Sequence, residues 1–232
     1  MSSIVEVTSI VEEYLEAVFR LQERSGSART SELVKMMKVA PGTVTNTIER
    51  LERESLLTHE PYKGVRLTEK GRSIALRVLK KHRLCERLLT DVLDVEWDKV
   101  HDHACKLEHS VSDDLALKIE KALKSPETCP HGNLIDAESS RHLNMKSGPL
   151  TESNVNEKVL ITKIVDERSD LLQYLGTLGL RPEKSLEIVE KAPFDGPITV
   201  RIDGRTHALS RQIASMIHVR KVKPQRKHTH TG

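Results

Sequence analysis

Aromatic side chains are scarce in this chain, with two Phe, three Tyr and one Trp making up 3% of 232 residues. Its core must therefore be aliphatic. Cysteine is scarcer still, and Cys85, Cys105 and Cys129 form no CxxC pair and no even-numbered framework. That excludes a disulfide scaffold and a structural zinc site of paired cysteines; single thiols pack, ligate or react. No apolar run approaches the ~20 residues that span a bilayer. The opening MSSIVEVTSIVEE lacks a basic segment and carries Glu6, Glu12 and Glu13, against a signal peptide. The reading is a cytoplasmic protein. HExxH, a nucleophile elbow and a glycine-rich phosphate loop are all missing, so nothing marks it as an enzyme. Net charge is only +3, so any nucleic-acid binding must come from local patches, not from a global field.

What is present is helical periodicity followed by strand periodicity. Residues 8–24 repeat apolar groups at Ile10, Tyr14, Ala17, Val18 and Leu21, predicting an amphipathic helix capped by Thr8 or Ser9 and broken by SGSA at 25–28. RTSELVKMMKV predicts a short helix capped by Thr30 or Ser31. APGTVTNTIERLERESLL starts a third, with Pro41 in its first turn and Val44, Ile48 and Leu51 inward. Two short strands around Pro61-Tyr62-Lys63-Gly64 follow, then a helix opened by Thr68. Helix-turn-helix plus β-ribbon is the winged-helix order. Long helices are expected over 68–94 and from Trp97 to Leu123, stopped by Ser125-Pro126. After the turn-rich CPHGNLI and a polar stretch, KVLITKIVD, SLEIVEKA, PITVRID, THALS and IHVRKV read as five strands. With the short helix SDLLQYLGTLGL between them, they suggest a small SH3-like barrel. The fold class is thus mainly α with a β-wing, closed by an SH3-like C-terminal domain.

Chemistry concentrates on the long helices. On one helix, His101, Cys105 and His109 form an i, i+4, i+8 stripe beside Glu108, with Val100, Ala104, Leu107 and Val111 toward the core. His82 and Glu86 repeat one-turn spacing on the preceding helix. Each pair alone reads as a solvated face; two pairs and a thiol at matching pitch point to a metal. Mixed N, O and S donors suit a divalent first-row transition ion better than Ca²⁺ or Mg²⁺.

These segments, KKHRLCERLLTDVL, VHDHACKLEHSVSDDL and CPHGNLI, resemble the diphtheria-toxin-repressor family of metal-activated DNA-binding regulators over roughly residues 8–135. The terminal domain resembles the SH3-like (FeoA-like) domain of longer members. The resemblance implies a homodimeric repressor of metal-uptake genes with Fe²⁺ or Mn²⁺ as cofactor, two sites per chain. It puts a regulatory site on Glu13, Cys105, Glu108 and His109, and an ancillary site on His82, Glu86 and His101. Glu167 and Asp170 in VDERSDLL are the nearest counterparts of ligands from the SH3-like domain. Iron-responsive members have Met where this chain has Glu13, whereas Cys105 is the iron-type choice; Glu16 matches a carboxylate of the short manganese type. The two-fold interface falls on Val92, Leu93, Trp97 and Leu115 to Leu123; Cys129 receives no role.

The expected boundaries are a winged helix-turn-helix DNA-binding domain at 1–74, a helical metal-binding and dimerisation domain at 75–140, and a linker at 141–156. The SH3-like domain follows at 157–223, then a disordered basic tail at 224–232 that carries His228 and His230. A double-stranded operator would meet the start of the recognition helix: Ala40, Pro41, Gly42, Thr43, Thr45, Asn46 and Thr47. Arg50, with Lys63 and Arg66 of the wing, would reach phosphates. A metalloenzyme and a metal-independent DNA-binding adaptor are the competing readings.

Overall fold

The computed structural model describes residues 7–60, 63–137 and 147–222; Pro61, Tyr62, residues 138–146 and the basic tail with His228 and His230 lie outside them. The chain divides into two units, Met1–Cys85 with Cys105–Ala122, and Glu86–Ala104 with Leu123–Gly232.

In the first unit, α1 (Ser9–Ser25) begins at Thr8, whose hydroxyl accepts from the Val11 amide at 3.4 Å, and ends at Gly26 in the left-handed region. Its buried stripe includes Val11, Tyr14, Leu15, Val18 and Phe19, an i, i+3, i+4, i+7, i+8 set, so Ile10, expected inward, is 55% exposed. Helix α2 (Thr30–Met37) starts at Arg29 with no side-chain cap, not at Thr30 or Ser31 as expected. Helix α3 (Pro41–Arg53) has Pro41 in its first turn and buries Val44, Ile48 and Leu51, as their spacing predicts. Strands β1 (Leu57–Glu60) and β2 (Gly64–Leu67) pair antiparallel to form the wing. Reciprocal bonds between Ala28 and Val65 pin that wing to the loop after α1.

Thr68 opens α4 (Glu69–Asp91), its hydroxyl accepting from the Gly71 amide at 3.1 Å and donating to the Ser55 carbonyl at 2.8 Å. The single helix expected from Trp97 to Leu123 is instead α5 (Val100–Leu107), one 3₁₀ turn at Glu108–Ser110, and α6 (Asp113–Ala122). Val111 is extended, and the Ser112 hydroxyl caps α6 by accepting from the Leu115 amide at 3.2 Å. Asp113 and Asp114 fill the first turn, where the helix dipole favours carboxylates. The break takes His109 off the His101–Cys105 stripe. It also leaves Leu107 exposed, while Val100, Ala104 and Val111 stay buried. Lys81–Asp113 and Lys80–Glu120, each 2.8 Å, join α4 to α6.

The second unit is built on an antiparallel six-stranded sheet in the order β3-β8-β4-β5-β6-β7. Its strands are β3 (Gly148–Pro149), β4 (Lys158–Ile164), β5 (Ser185–Lys191), β6 (Ile198–Ile202), β7 (Arg205–Leu209) and β8 (Ile217–Lys221). Helices α7 (Ser169–Thr177) and α8 (Arg211–Met216) close it. Five strands were legible as alternating runs, whereas Gly148–Pro149 fell in the expected linker. This edge pairs with β8, and the adjoining Leu150 is fully buried in the core with Ile161, Leu172 and Ile188. An edge strand tolerates Pro149, and one buried leucine secures it. Trp97, expected at a two-fold interface, belongs to this same core, and its indole N–H donates to the Pro130 carbonyl at 2.9 Å.

Residues 127–135 fold back on themselves and then onto the sheet. The Cys129 amide donates to the Asn133 carbonyl at 2.8 Å, and the Ile164 amide of β4 donates to the His131 carbonyl at 2.9 Å. Between them Gly132 sits at φ 85°, where an added Cβ would lie 2.0 Å from the Thr162 carbonyl oxygen. Among the described residues, no helix is long and apolar enough to cross a membrane.

Candidate metal centre

In the first unit, His109 follows α5 and reaches α1. Its Nδ1 lies 2.7 Å from Glu12 Oε2, and its Nε2 lies 3.7 Å from Glu13 Oε1 and 3.2 Å from Glu108 Oε1. Glu108 turns its other oxygen to buried His82, 2.5 Å away, and His82 is 3.9 Å from the Cys105 sulfur. Glu16, paired with Arg20 at 2.8 Å, completes a buried group with His82 and Glu108 whose donor atoms lie within 4.8 Å of one another.

The structure thus brings Glu13, Glu108 and His109 together as expected, and adds Glu12, which the sequence reading had used only as a charge. Cys105 connects to the group through His82. Glu13 remains 50% exposed. Burial pushes the Glu108 carboxyl up, and the hydrogen bond with His82 only partly reverses the shift. A buried carboxylate of this kind calls for a positive partner.

The second unit gathers its own donors. Glu86 Oε1 is 3.4 Å from His101 Nδ1 and 3.2 Å from His131 Nδ1. Glu167 contributes Oε2 at 3.4 Å from His101 and Oε1 at 3.8 Å from His131. Cys129 joins Glu86, His131 and Glu167 in a fully buried group with all ligand atoms within 4.8 Å. Glu167 is a candidate from the sequence, whereas Cys129 and His131 enter the group only through the fold. Asp170, the other candidate, is 76% exposed and 3.7 Å from Arg168, in the first turn of α7, so it does not enter the group.

His131 Nε2 bonds to the Trp97 carbonyl at 2.9 Å, which turns Nδ1 to the carboxylates, 3.2 Å from Glu86 Oε1. Burial opposes charge on His131, but attraction from Glu86 and hydrogen bonds to Cys129 and Glu86 hold its pKa well above the imidazole range. Burial, then the Glu86 charge, pushes the Cys129 thiol up. This fully buried set of nitrogen, oxygen and sulfur donors fits a divalent transition ion.

The operator-contact candidates of α3 fall at its N-cap position and in its first two turns. Ala40, Pro41, Gly42, Thr43, Thr45 and Asn46 are exposed and Thr47 half-buried. The Thr45 and Thr47 hydroxyls donate to the Pro41 and Thr43 carbonyls at 3.1 and 2.8 Å, leaving their lone pairs outward. No acidic residue occupies the first turn of α3, so its N-terminal dipole is unopposed toward an anion. Arg50 is loosely paired with Glu54 at 4.0 Å, and Lys63 and Arg66 share Glu60 at 3.7 and 3.3 Å. Leu115 and Leu117 in the first unit, and Val92 and Leu93 in the second, expose apolar side chains.

Three family models cover the chain. The N-terminal DNA-binding domain of iron-dependent repressors matches residues 6–65, their metal-binding and dimerisation domain residues 68–137, and the FeoA domain residues 148–221. The iron-dependent repressor IdeR of Mycobacterium tuberculosis is 32% identical over 235 residues, covering 96% of this chain and 100% of that protein. The diphtheria toxin repressor of Corynebacterium diphtheriae is 28% identical over 229 residues, covering 94% and 99%. The solved structure of a manganese-dependent transcriptional repressor complex with manganese superposes with a TM-score of 0.82 at 30% identity, covering 91% of this chain and 100% of that one. These full-length matches, with the winged helix and donor groups described above, show that the chain belongs to the diphtheria-toxin-repressor family of metal-dependent transcriptional repressors.

Proposed function

We propose that this protein is a cytoplasmic, homodimeric repressor that binds a double-stranded operator when loaded with Fe²⁺ or Mn²⁺ and controls genes of metal uptake and homeostasis. The reading is supported above all by the contact of His109 with Glu12 and Glu13, which joins the turn after α5 to α1 across 97 positions of sequence. Helix α1 also touches the wing, because the Leu67 amide of β2 donates to Gln22 Oε1 at 3.2 Å. One rigid helix therefore carries acidic donors near one end and a wing contact near the other.

Glu12, Glu13, Glu108 and His109, with His82, Glu16 and Cys105 adjoining, would hold the ion in the first unit. Glu86, Cys129, His131 and Glu167, with His101, would do so in the second. The ion supplies positive charge to carboxylates that burial otherwise makes costly. Ligation requires a neutral His109 and a deprotonated Glu108, so activation weakens as pH falls. The exposed apolar residues Leu115 and Leu117 supply two-fold contact surface.

Operator binding by fluorescence anisotropy, with anaerobic Fe²⁺, with Mn²⁺ and without metal, tests this. A coupling of about 1–3 kcal/mol predicts roughly a 5–150-fold gain in affinity. Glu108→Gln should lose that gain while keeping weak non-specific binding. Equal affinity of the wild type with and without metal would overturn the proposal.

A further inference from the structure

Phe194 is fully exposed at the tip of the β5–β6 hairpin, in a chain with only two phenylalanines. We propose that this tip and the cavity beside α8 form one self-complementary patch. Through it the second unit of one chain docks with that of another copy, each Phe194 ring entering the other's cavity.

The tip is a tight turn. The Gly196 amide donates to the Pro193 carbonyl and the Ala192 amide to the Pro197 carbonyl, both at 3.0 Å. Between them, Phe194 and Asp195 both sit at φ 55°. Asn and Gly are the usual occupants of such a turn, and a bulky side chain is rare there. A large apolar ring held in that conformation and turned to solvent marks a contact residue. Pro193 and Pro197 fix the chain on either side, so little conformational freedom is left to lose on docking.

The cavity adjoins the tip. Leu171 and Tyr174 of α7 and Ile213 and Met216 of α8 give it apolar walls, and its volume is about 230 Å³. A void of about 150 Å³ with aliphatic walls admits benzene, so a phenylalanine ring fits. Asp195 ties the tip to the cavity wall, its Oδ1 lying 3.4 Å from Nε of Arg211, the first residue of α8. Knob and hole therefore share one surface, as a two-fold contact requires, since the same patch must serve on both copies. The charges also suit a second copy. Arg168 and Arg211 are matched by Asp170 and Asp195, so the patch is neutral and a two-fold mate can set each sign against its opposite. Leu115 and Leu117 belong to the first unit, so association here adds to the homodimer without replacing it.

Fluorine-19 resonance of the full chain grown on 4-fluorophenylalanine tests this, because Phe19 is buried and Phe194 exposed. Raising the protein concentration should move the Phe194 resonance toward a buried value, leave that of Phe19 in place, and raise the sedimenting mass in step. Phe194→Ser, which alters only an exposed side chain, should weaken the association roughly 10–100-fold. Tyr174→Ala, in the part-exposed cavity wall, should weaken it in the same direction. A Phe194 resonance that stays solvent-like at every concentration overturns the proposal, as does a growth in mass that Phe194→Ser leaves unchanged. A resonance buried at every concentration, with a mass that Phe194→Ser does not lower, means the ring docks within its own chain. One moved only by phosphatidylglycerol vesicles means a membrane surface. Either result also overturns docking between copies.

Discussion

Replacing Gly132 with Ala tests whether the CPHGN loop is held by its fit against β4. At φ 85° an L-residue is strained, which costs about 1–2 kcal/mol. The new Cβ would also sit 2.0 Å from the Thr162 carbonyl oxygen and 2.8 Å from the Lys163 Cα, both backbone atoms. Backbone cannot rotate aside as a flexible side chain can, so the loop must lift. Lifting sacrifices the bond from the Ile164 amide to the His131 carbonyl, a further loss of about 1 kcal/mol. The total is about 2–3 kcal/mol, a fall in melting temperature on the order of 10 °C. Thermal unfolding followed by circular dichroism and by Trp97 emission reads it. Gly26→Ala is the control: φ is 79° but nothing lies within 4 Å of the added Cβ, so only the conformational part, about 1–2 kcal/mol, should appear. Equal losses in the two variants would refute the claim that contact with β4 holds the loop. The Gly132 variant should also bind Mn²⁺ more weakly, because Cys129 and His131 flank the lifted position.

Other expectations follow from single contacts. Thr68→Ala removes the hydroxyl that caps α4, at a cost of about 1–2 kcal/mol in urea unfolding; Thr68→Ser should restore most of it, and a serine variant no better than alanine would contradict the cap. Burial and then the Lys163 charge hold His218 down at about 4 against an ordinary 6.5. The unfolded chain therefore takes up a proton below pH ~6.5 that the folded chain refuses until about 4, so this contribution is full above ~6.5 and shrinks as pH falls between the two values. Partial exposure limits it to about 1–2 kcal/mol after screening, and His218→Gln should lose less stability than wild type between pH 7 and 5; parallel losses would reject the assignment.

Local periodicity made most of the helices and five C-terminal strands legible, because burying one face of each leaves a repeat of 3.6 or 2 residues. Where burial is confined to one or two residues, no such repeat exists. Gly148–Pro149 reads as a breaker, and a lone Leu150 has no pattern, although its burial fixes the strand. The helix end at Leu107 does have a sequence signal, Ser112-Asp113-Asp114, the composition of a helix start. Of the first-unit donor group, the resemblance supplies Glu13, Glu108 and His109, whereas Glu12, Glu16 and His82 are added by the structure and Cys105 connects only through His82. Which carboxylate of the Glu12-Glu13 pair meets His109 depends on the rotation of α1, and the structure uses both. Cys129 and His131 were invisible for a different reason. Their partners Glu86 and Glu167 lie more than thirty positions away, and no spacing within CPHGN announces them. Glu167 rather than Asp170 enters because it precedes α7, whereas Asp170 spends its carboxylate on the exposed first turn of that helix.

Trp97 gives the C-terminal barrel a dependence that its own sequence does not reveal. The indole fills a place among Leu150, Ile161 and Leu172, and Arg181 stacks over it at 4.9 Å, yet it comes from a segment fifty positions upstream of β3. A fragment begun at residue 147 would fold around a missing plug and offer an oily hollow to water. Supplied as a separate piece carrying residues up to 137, the upstream segment should refill that hollow, so the two fragments ought to find each other in solution even with the chain between them severed.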